Sequence, residues 1–193
     1  MKICIFGASS NEIDEKYILA VEKLGEELAQ KGHTLVFGAG CNGLMGAAAR
    51  GFKRMGGKII GIIPEFFREE MVEVIYTECD ELIYTETMAQ RKAKMEDMAD
   101  AFLVAPGGMG TFEEFFEALT LKQLARHNKP MAIFNIDGYY DKLEDFMQYS
   151  IDQGFMTSEC KKLYICEKDA KKIAQYLEED KAIAHELKDL KRG

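Results

Sequence analysis

The chain is 193 residues long, 47% apolar and 30% charged, with 33 acidic against 25 basic residues and a formal net charge of −8. That length suffices for one domain with a sizeable core. The acid surplus excludes a surface built to displace counterions along nucleic-acid phosphates, while one small phosphorylated ligand stays compatible, because helix N-termini bind phosphate whatever the global charge.

Apolar runs alternate with helical patterns along the chain. "KICIFGAS" (2–9) predicts a first strand, and a helix follows over 14–31, with Tyr17, Ile18, Val21, Leu24 and Leu28 on one stripe and Gly32 as its stop. "HTLVFG" (33–38) predicts a second strand, "GLMGAAARGFKRMG" (43–56) a helix of small residues suited to close packing, and "KIIGIIP" (58–64) a third strand. Residues 65–86 are less regular, with "EVIYTE" and "ELIYTE" as short-strand candidates. A helix over 87–100 leads to the strand "AFLVAP" and a helix over 112–127. "PMAIFNI" (130–136) and "KLYICE" (162–167) predict two further strands, with helices over 139–154 and 169–180 after them. The end of the chain, 181–193, reads as a fraying helix or a tail.

The strands are near-continuous apolar runs, so both faces of their sheet are covered. Their alternation with helices predicts an α/β fold, a doubly wound parallel sheet with helices on both faces, forming a single domain over 1–193. No apolar run is long enough to span a bilayer, and "MKICIFGASS" lacks the features of a secretion signal. Five cysteines without a CxxC pair and three scattered histidines fit reduced thiols in a cytoplasmic protein and give no metal-ligand cluster.

In open α/β sheets ligands bind beyond the carboxyl ends of the strands. After the first strand, "FGASSN" offers a turn glycine and the hydroxyl of Ser9. After the second, Gly38, Gly40 and Gly43 match the G-x-G-x-x-G dinucleotide fingerprint, and Glu65 stands where a ribose-binding acid is expected. After "AFLVAP", Gly107, Gly108 and Gly110 let the backbone approach a ligand, and Thr111 leads into a helix whose N–H groups point back at the loop. The spacing Thr111-x-x-Glu114 reads as a capping box, a structural role that on spacing alone outweighs a catalytic one. Phe112, Phe115, Phe116 and Leu119 read as core. In "TMAQRK", Lys94 reads as a solvated position, and Arg91 as a rare cation near the ligand edge.

"PGGMGTFEE" resembles the PGGxGTxxE signature of the LONELY GUY family, the cytokinin riboside 5′-monophosphate phosphoribohydrolases often labelled lysine decarboxylases. "GAGCNGLMG" is similar to that family's GGGxxGLMG loop, "MAQRK" to its MxxRK segment, and "GYYDKLEDFM" to its downstream pattern. The resemblance runs from residue 2 to about 168 and implies a Rossmann-like homodimer that hydrolyses the N-glycosidic bond of a nucleoside 5′-monophosphate such as AMP, without metal or redox cofactor. Carried over by motif, Arg91 and Glu114 form the catalytic pair. Arg91, Lys92, Gly107, Gly108, Met109, Gly110, Thr111, Phe112, Glu113 and Thr120 contact substrate. Ala39 and Met109 depart from the family's second glycine and its frequent tyrosine, and Glu65 aligns only loosely with its acid.

Cleavage of such a bond builds positive charge on the ribose, which a carboxylate at Glu114 would stabilise, or it would activate water. Arg91 suits phosphate positioning or polarisation of the base, since a guanidinium does not give up its proton in proteins. The glycines of both loops would cradle the 5′-phosphate. Two rival readings use the same loops: a non-catalytic nucleotide or molybdenum-cofactor carrier, which does not need Glu114, and an NAD-binding oxidoreductase.

Overall fold

The computed structural model describes residues 1–71 and 73–179; the expected helix or tail over 181–193 lies outside them. Seven strands, β1 (Lys2–Phe6), β2 (Thr34–Phe37), β3 (Lys58–Pro64), β4 (Glu81–Thr85), β5 (Ala101–Val104), β6 (Met131–Phe134) and β7 (Ile165–Glu167), form one sheet in the order β4-β3-β2-β1-β5-β6-β7. Every pairing is parallel, as in Ile3 opposite both Leu35 and Ala101. The helices are α1 (Glu15–Gln30), α2 (Gly43–Arg54), α3 (Glu65–Glu69), α4 (Met88–Met98), α5 (Met109–Gln123), α6 (Asp141–Asp152) and α7 (Ala170–Glu179). The Rossmann-like doubly wound α/β fold is the one expected.

Alternation along each strand divides the core in two. Ile3, Ile5, Leu35 and Phe37 face α1, α2 and α7, while Cys4, Phe6, Val36 and Phe102 face α4, α5 and α6. Inner strands such as β5 and β6 are buried along their whole length, the pattern of a sheet covered on both faces. Glycine permits the tight approach of α1 to α2: a Cβ at Gly51 would lie 2.2 Å from the carbonyl oxygen of Glu22.

The sequence reading differs from the structure mainly in residues 65–86. "ELIYTE" supplies β4, but "EVIYTE" forms only an isolated antiparallel bridge, Ile75 opposite Gly40. The short helix α3 was not expected. It begins at Glu65 directly after Pro64, whose extended backbone closes β3.

Candidate active site

The chain lays down β1 to β4 in one direction across the sheet, then returns to place β5 on the other side of β1. The crevice above β1 and β5 is therefore the point where strand order reverses, the expected ligand site of such a sheet. A cavity of about 680 Å³ occupies it. Its walls come from the β1 loop (Gly7 to Ser10), Asn42 and Met45 at the start of α2, Phe67, Met71, Glu73 and Val74, then Met88 and Arg91 of α4, and finally Gly108 to Thr111 with Glu113 and Glu114. Ala8 N–H donates to Pro106 O at 3.0 Å, tying the β1 and β5 loops together.

Arg91 lies in the first turn of α4, which Thr87 caps by accepting the Gln90 N–H at 3.1 Å. Only 5% exposed, its guanidinium sits 5.5 Å from the centre of the Phe67 ring, and Nη2 donates to Gly38 O at 3.4 Å. Its Nε is buried without a partner among the described residues. A Cβ at Gly38 would stand 1.6 Å from Arg91 Nη2, and one at Gly40 would stand 2.6 Å from Glu73 Oε1. The G-x-G pattern thus leaves room for the side chains of Arg91 and Glu73.

Glu73 was missed by the sequence reading, which placed the expected acid at Glu65. Glu65 instead opens α3, half exposed, pairs with Arg68 at 3.4 Å and does not line the cavity. Glu73 is brought to the cavity by backbone bonds on either side of the Ile75 bridge: Cys41 N–H to Val74 O and Tyr76 N–H to Ala39 O, both 2.8 Å. Burial raises its carboxyl above the ordinary value, partly offset by Arg91 and by a hydrogen bond with Ser9.

The capping box is not formed. The helix α5 begins at Met109, its N-cap is Gly108, and no side chain caps it, so Glu114 stands a turn and a half inside the helix. The side chain of Thr111 packs under Gly107, where a Cβ would meet its Oγ1 at 2.1 Å. Glu114 opens onto the cavity, yet the surrounding protein strips away most of its water and lifts its carboxyl from 4.5 to about 7, against the opposing pull of Arg91 and with a smaller upward push from Glu113.

Only one of the two glycine loops leaves its helix amides open. In α2, Gly43 N–H donates to Asn11 Oδ1 at 2.8 Å and Leu44 N–H to Ala8 O at 2.8 Å. Gly43 itself, at φ 57, packs against the β1 loop, where a Cβ would lie 2.3 Å from Ala8 O. Gly40 and Gly43 therefore shape the site without lining it. In α5 the first intrahelical bond is Phe112 N–H to Gly108 O at 3.0 Å, so the N–H groups from Gly108 to Thr111 come before the helical ladder. Gly108 and Gly110 have open space where a Cβ would be. The cradle expected from two loops reduces to this one.

Four more expected substrate contacts do not line the cavity, Gly107 being covered by the Thr111 side chain. Lys92 turns to α5, pairing with Glu113 and lying 2.7 Å from Glu117 Oε2. Phe112 and Thr120 line a second, shallow depression on the outward face of α5 together with Met109, Glu113, Phe116 and Leu121. Phe116, expected in the core, is 37% exposed there.

The family model described as "possible lysine decarboxylase" matches residues 45–177. Cytokinin riboside 5′-monophosphate phosphoribohydrolase LOG2 of Arabidopsis thaliana is 38% identical over 92% of this chain and 83% of its own length. The corresponding protein LOG of Oryza sativa subsp. japonica is 35% identical over 92% of this chain and 73% of its own. The chain belongs to the LONELY GUY family. Where the family loop reads GGG, this member holds Ala39 in the left-handed region that glycine favours, φ 60. Met109 stands 84% exposed at the mouth of the cavity. A molybdenum cofactor carrier protein from Chlamydomonas reinhardtii superposes with a TM-score of 0.69 over 92% of this chain and 95% of that one. At 22% identity that likeness speaks to the fold alone.

Proposed function

We propose that this LONELY GUY chain hydrolyses the N-glycosidic bond of a nucleoside 5′-monophosphate, releasing the free base and ribose 5-phosphate. The observation that bears most weight is the meeting, around one cavity, of the open N-terminus of α5, the buried Arg91 and Glu114, whose carboxyl burial lifts above its ordinary value. The first binds the 5′-phosphate through backbone amides and the helix dipole. Arg91, held between Phe67 and Gly38 O, is rigid enough to position the nucleotide. Glu114 in its ionised form stabilises the charge that develops at the anomeric carbon, or takes a proton from the attacking water. Hydrolysis adds the water hydroxyl to that carbon and a proton to the departing base.

Glu73 and Ser9 close the site opposite α5. The assembly is a homodimer joined through the outward face of α5, where Met109 and Phe116 are exposed. Met109 and Glu113 line both the cavity and this outer depression, so a second copy seated there completes the cavity mouth and is the arrangement that would carry Thr120 to a substrate.

The test is a panel of nucleoside 5′-monophosphates incubated with the protein and assayed for free base. Release of base from AMP or an N6-substituted AMP supports the proposal. Binding of these nucleotides without any release would favour the carrier reading instead.

A further inference from the structure

The two tyrosines of "GYYDKLEDFM" line neither depression, yet both hydroxyls reach the loop that forms the phosphate site. Tyr139 Oη donates to Gly107 O at 2.7 Å, and Tyr140 Oη donates to Ala105 O at 2.8 Å. Between them, Pro106 O accepts the Ala8 N–H. Three consecutive carbonyls between β5 and α5 are therefore held, each by its own donor.

The turn that presents these tyrosines is itself built. Asp137 and Gly138 adopt left-handed φ of 52 and 75, and Lys16 of α1 pairs with Asp137. Asn135 accepts the Tyr140 N–H at 2.8 Å and donates to Asp141 at 2.7 Å. The Tyr139 ring meets Tyr17 of α1 edge-on at 6.1 Å and Tyr140 at 4.9 Å. Tyr140 is 1% exposed. Burial pushes both phenols above their ordinary value, so they stay protonated donors across the working range of pH.

We propose that Tyr139 is a positioning residue for the phosphate site: it fixes the Gly107 carbonyl so that the Gly108 amide is turned to the cavity before a ligand arrives, while Tyr140 anchors the start of the loop at Ala105 O, ahead of Pro106, which has no N–H of its own. In a planar trans peptide the C=O and the following N–H point in opposite directions. Tethering Gly107 O toward the α6 side therefore directs the Gly108 N–H the other way, and Gly108 lines the cavity while Gly107 does not. A loop with three glycines would otherwise lose much conformational freedom on binding, and pre-ordering it removes that cost from the binding step. The inference rests on the reading of this loop as the phosphate-binding element.

The experiment compares the parent with Tyr139→Phe, Tyr140→Phe and the double variant, by AMP turnover and by calorimetric titration with AMP and with inorganic phosphate. Loss of the Tyr139 hydroxyl should raise KM for AMP, and Kd for both AMP and phosphate, by about 3- to 10-fold, and loss of the Tyr140 hydroxyl should raise them less. The kcat should stay within about twofold, because neither hydroxyl touches the reacting atoms. A lowered Tm with unchanged KM and Kd overturns the inference, as does a fall in kcat alone. If Tyr140→Phe does not fold, Tyr139→Phe decides, since that ring is 41% exposed and tolerates the change. A parent that binds AMP but releases no base overturns the hydrolase reading and leaves this inference to the titrations. A parent that binds neither AMP nor phosphate overturns the inference too.

Discussion

Gly38 and Arg91 share one volume: a β-carbon on the glycine would stand 1.6 Å from Nη2 and 2.8 Å from Cζ of the arginine. The guanidinium can occupy its buried place only because residue 38 has no side chain. Gly38→Ala should therefore displace Arg91 rather than the backbone, since the obstructing atoms are the end of a flexible side chain. Base release from AMP should fall at least about 100-fold, the scale of losing one pre-organised charged group. The fold should persist, checked by circular dichroism and by a cooperative thermal transition. Turnover close to that of the parent would show that Arg91 acts from another position.

The Glu114 carboxyl, lifted to about 7, gives two linked expectations. If the ionised form is the working one, kcat/KM for AMP rises with pH through about 7 and then levels, and Glu114→Gln abolishes base release while AMP still binds. Stability should show the opposite trend. Between the ordinary value of 4.5 and about 7, the folded protein holds a proton that the unfolded chain has lost, so stability falls as pH rises through that window. The loss is on the order of 1–3 kcal/mol, at the lower end because the group opens onto water. Glu114→Gln should remove this slope. Thermal melts of both proteins at pH 5 and pH 8 check it, and parallel trends would contradict the assigned environment.

Much of this arrangement was legible in the residues, and the failures have physical causes. Continuous apolar runs gave the parallel sheet because burial on both faces leaves no alternation to confuse the pattern. Arg91 stood out as a rare cation near the ligand edge, whereas Glu114 read as a cap on spacing alone and entered the catalytic pair through the family motif. Glu73 did not stand out, because its placement depends on a tertiary bridge between Gly40 and Ile75 that no local periodicity announces. The capping box misled for a different reason. Gly110 is a poor residue for a first helical turn by propensity, yet the β5 loop delivers the chain in a geometry from which the helix begins at Met109, before the threonine is reached. Phe116 looked like core because apolar periodicity does not say which apolar positions of a helix stay exposed.

Lys92 provides a test of how the neighbours of Glu114 set its proton affinity. It sits 18% exposed between two acids of α5, paired with Glu113 and 2.7 Å from Glu117, and these partners raise its own proton affinity above the ordinary value. Toward Glu114 its positive charge acts downward, while Glu113 and Glu117 act upward. Lys92→Met removes the cation and leaves both anions uncompensated. The midpoint of the kcat/KM profile should move to higher pH. An unmoved midpoint with raised KM would instead restore Lys92 to the substrate contacts that its motif implies.

The outward face of α5 is where assembly and catalysis would meet. Phe116 is 37% exposed and Met109 84%, around a depression of about 560 Å³ bounded by Glu113, Glu117 and Thr120. An apolar depression flanked by charged residues is the kind of surface that a second copy could cover. Phe116→Asp places a charge at its centre without touching the cavity wall, which Phe116 does not line. In size-exclusion chromatography with light scattering, the parent should run at twice the chain mass and the variant at one. Base release should drop with dissociation, because Met109 and Glu113 border both depressions and lose the neighbour that orders the mouth. A parent that is monomeric at micromolar concentration, or a monomeric variant with full turnover, would separate the active site from any partner copy.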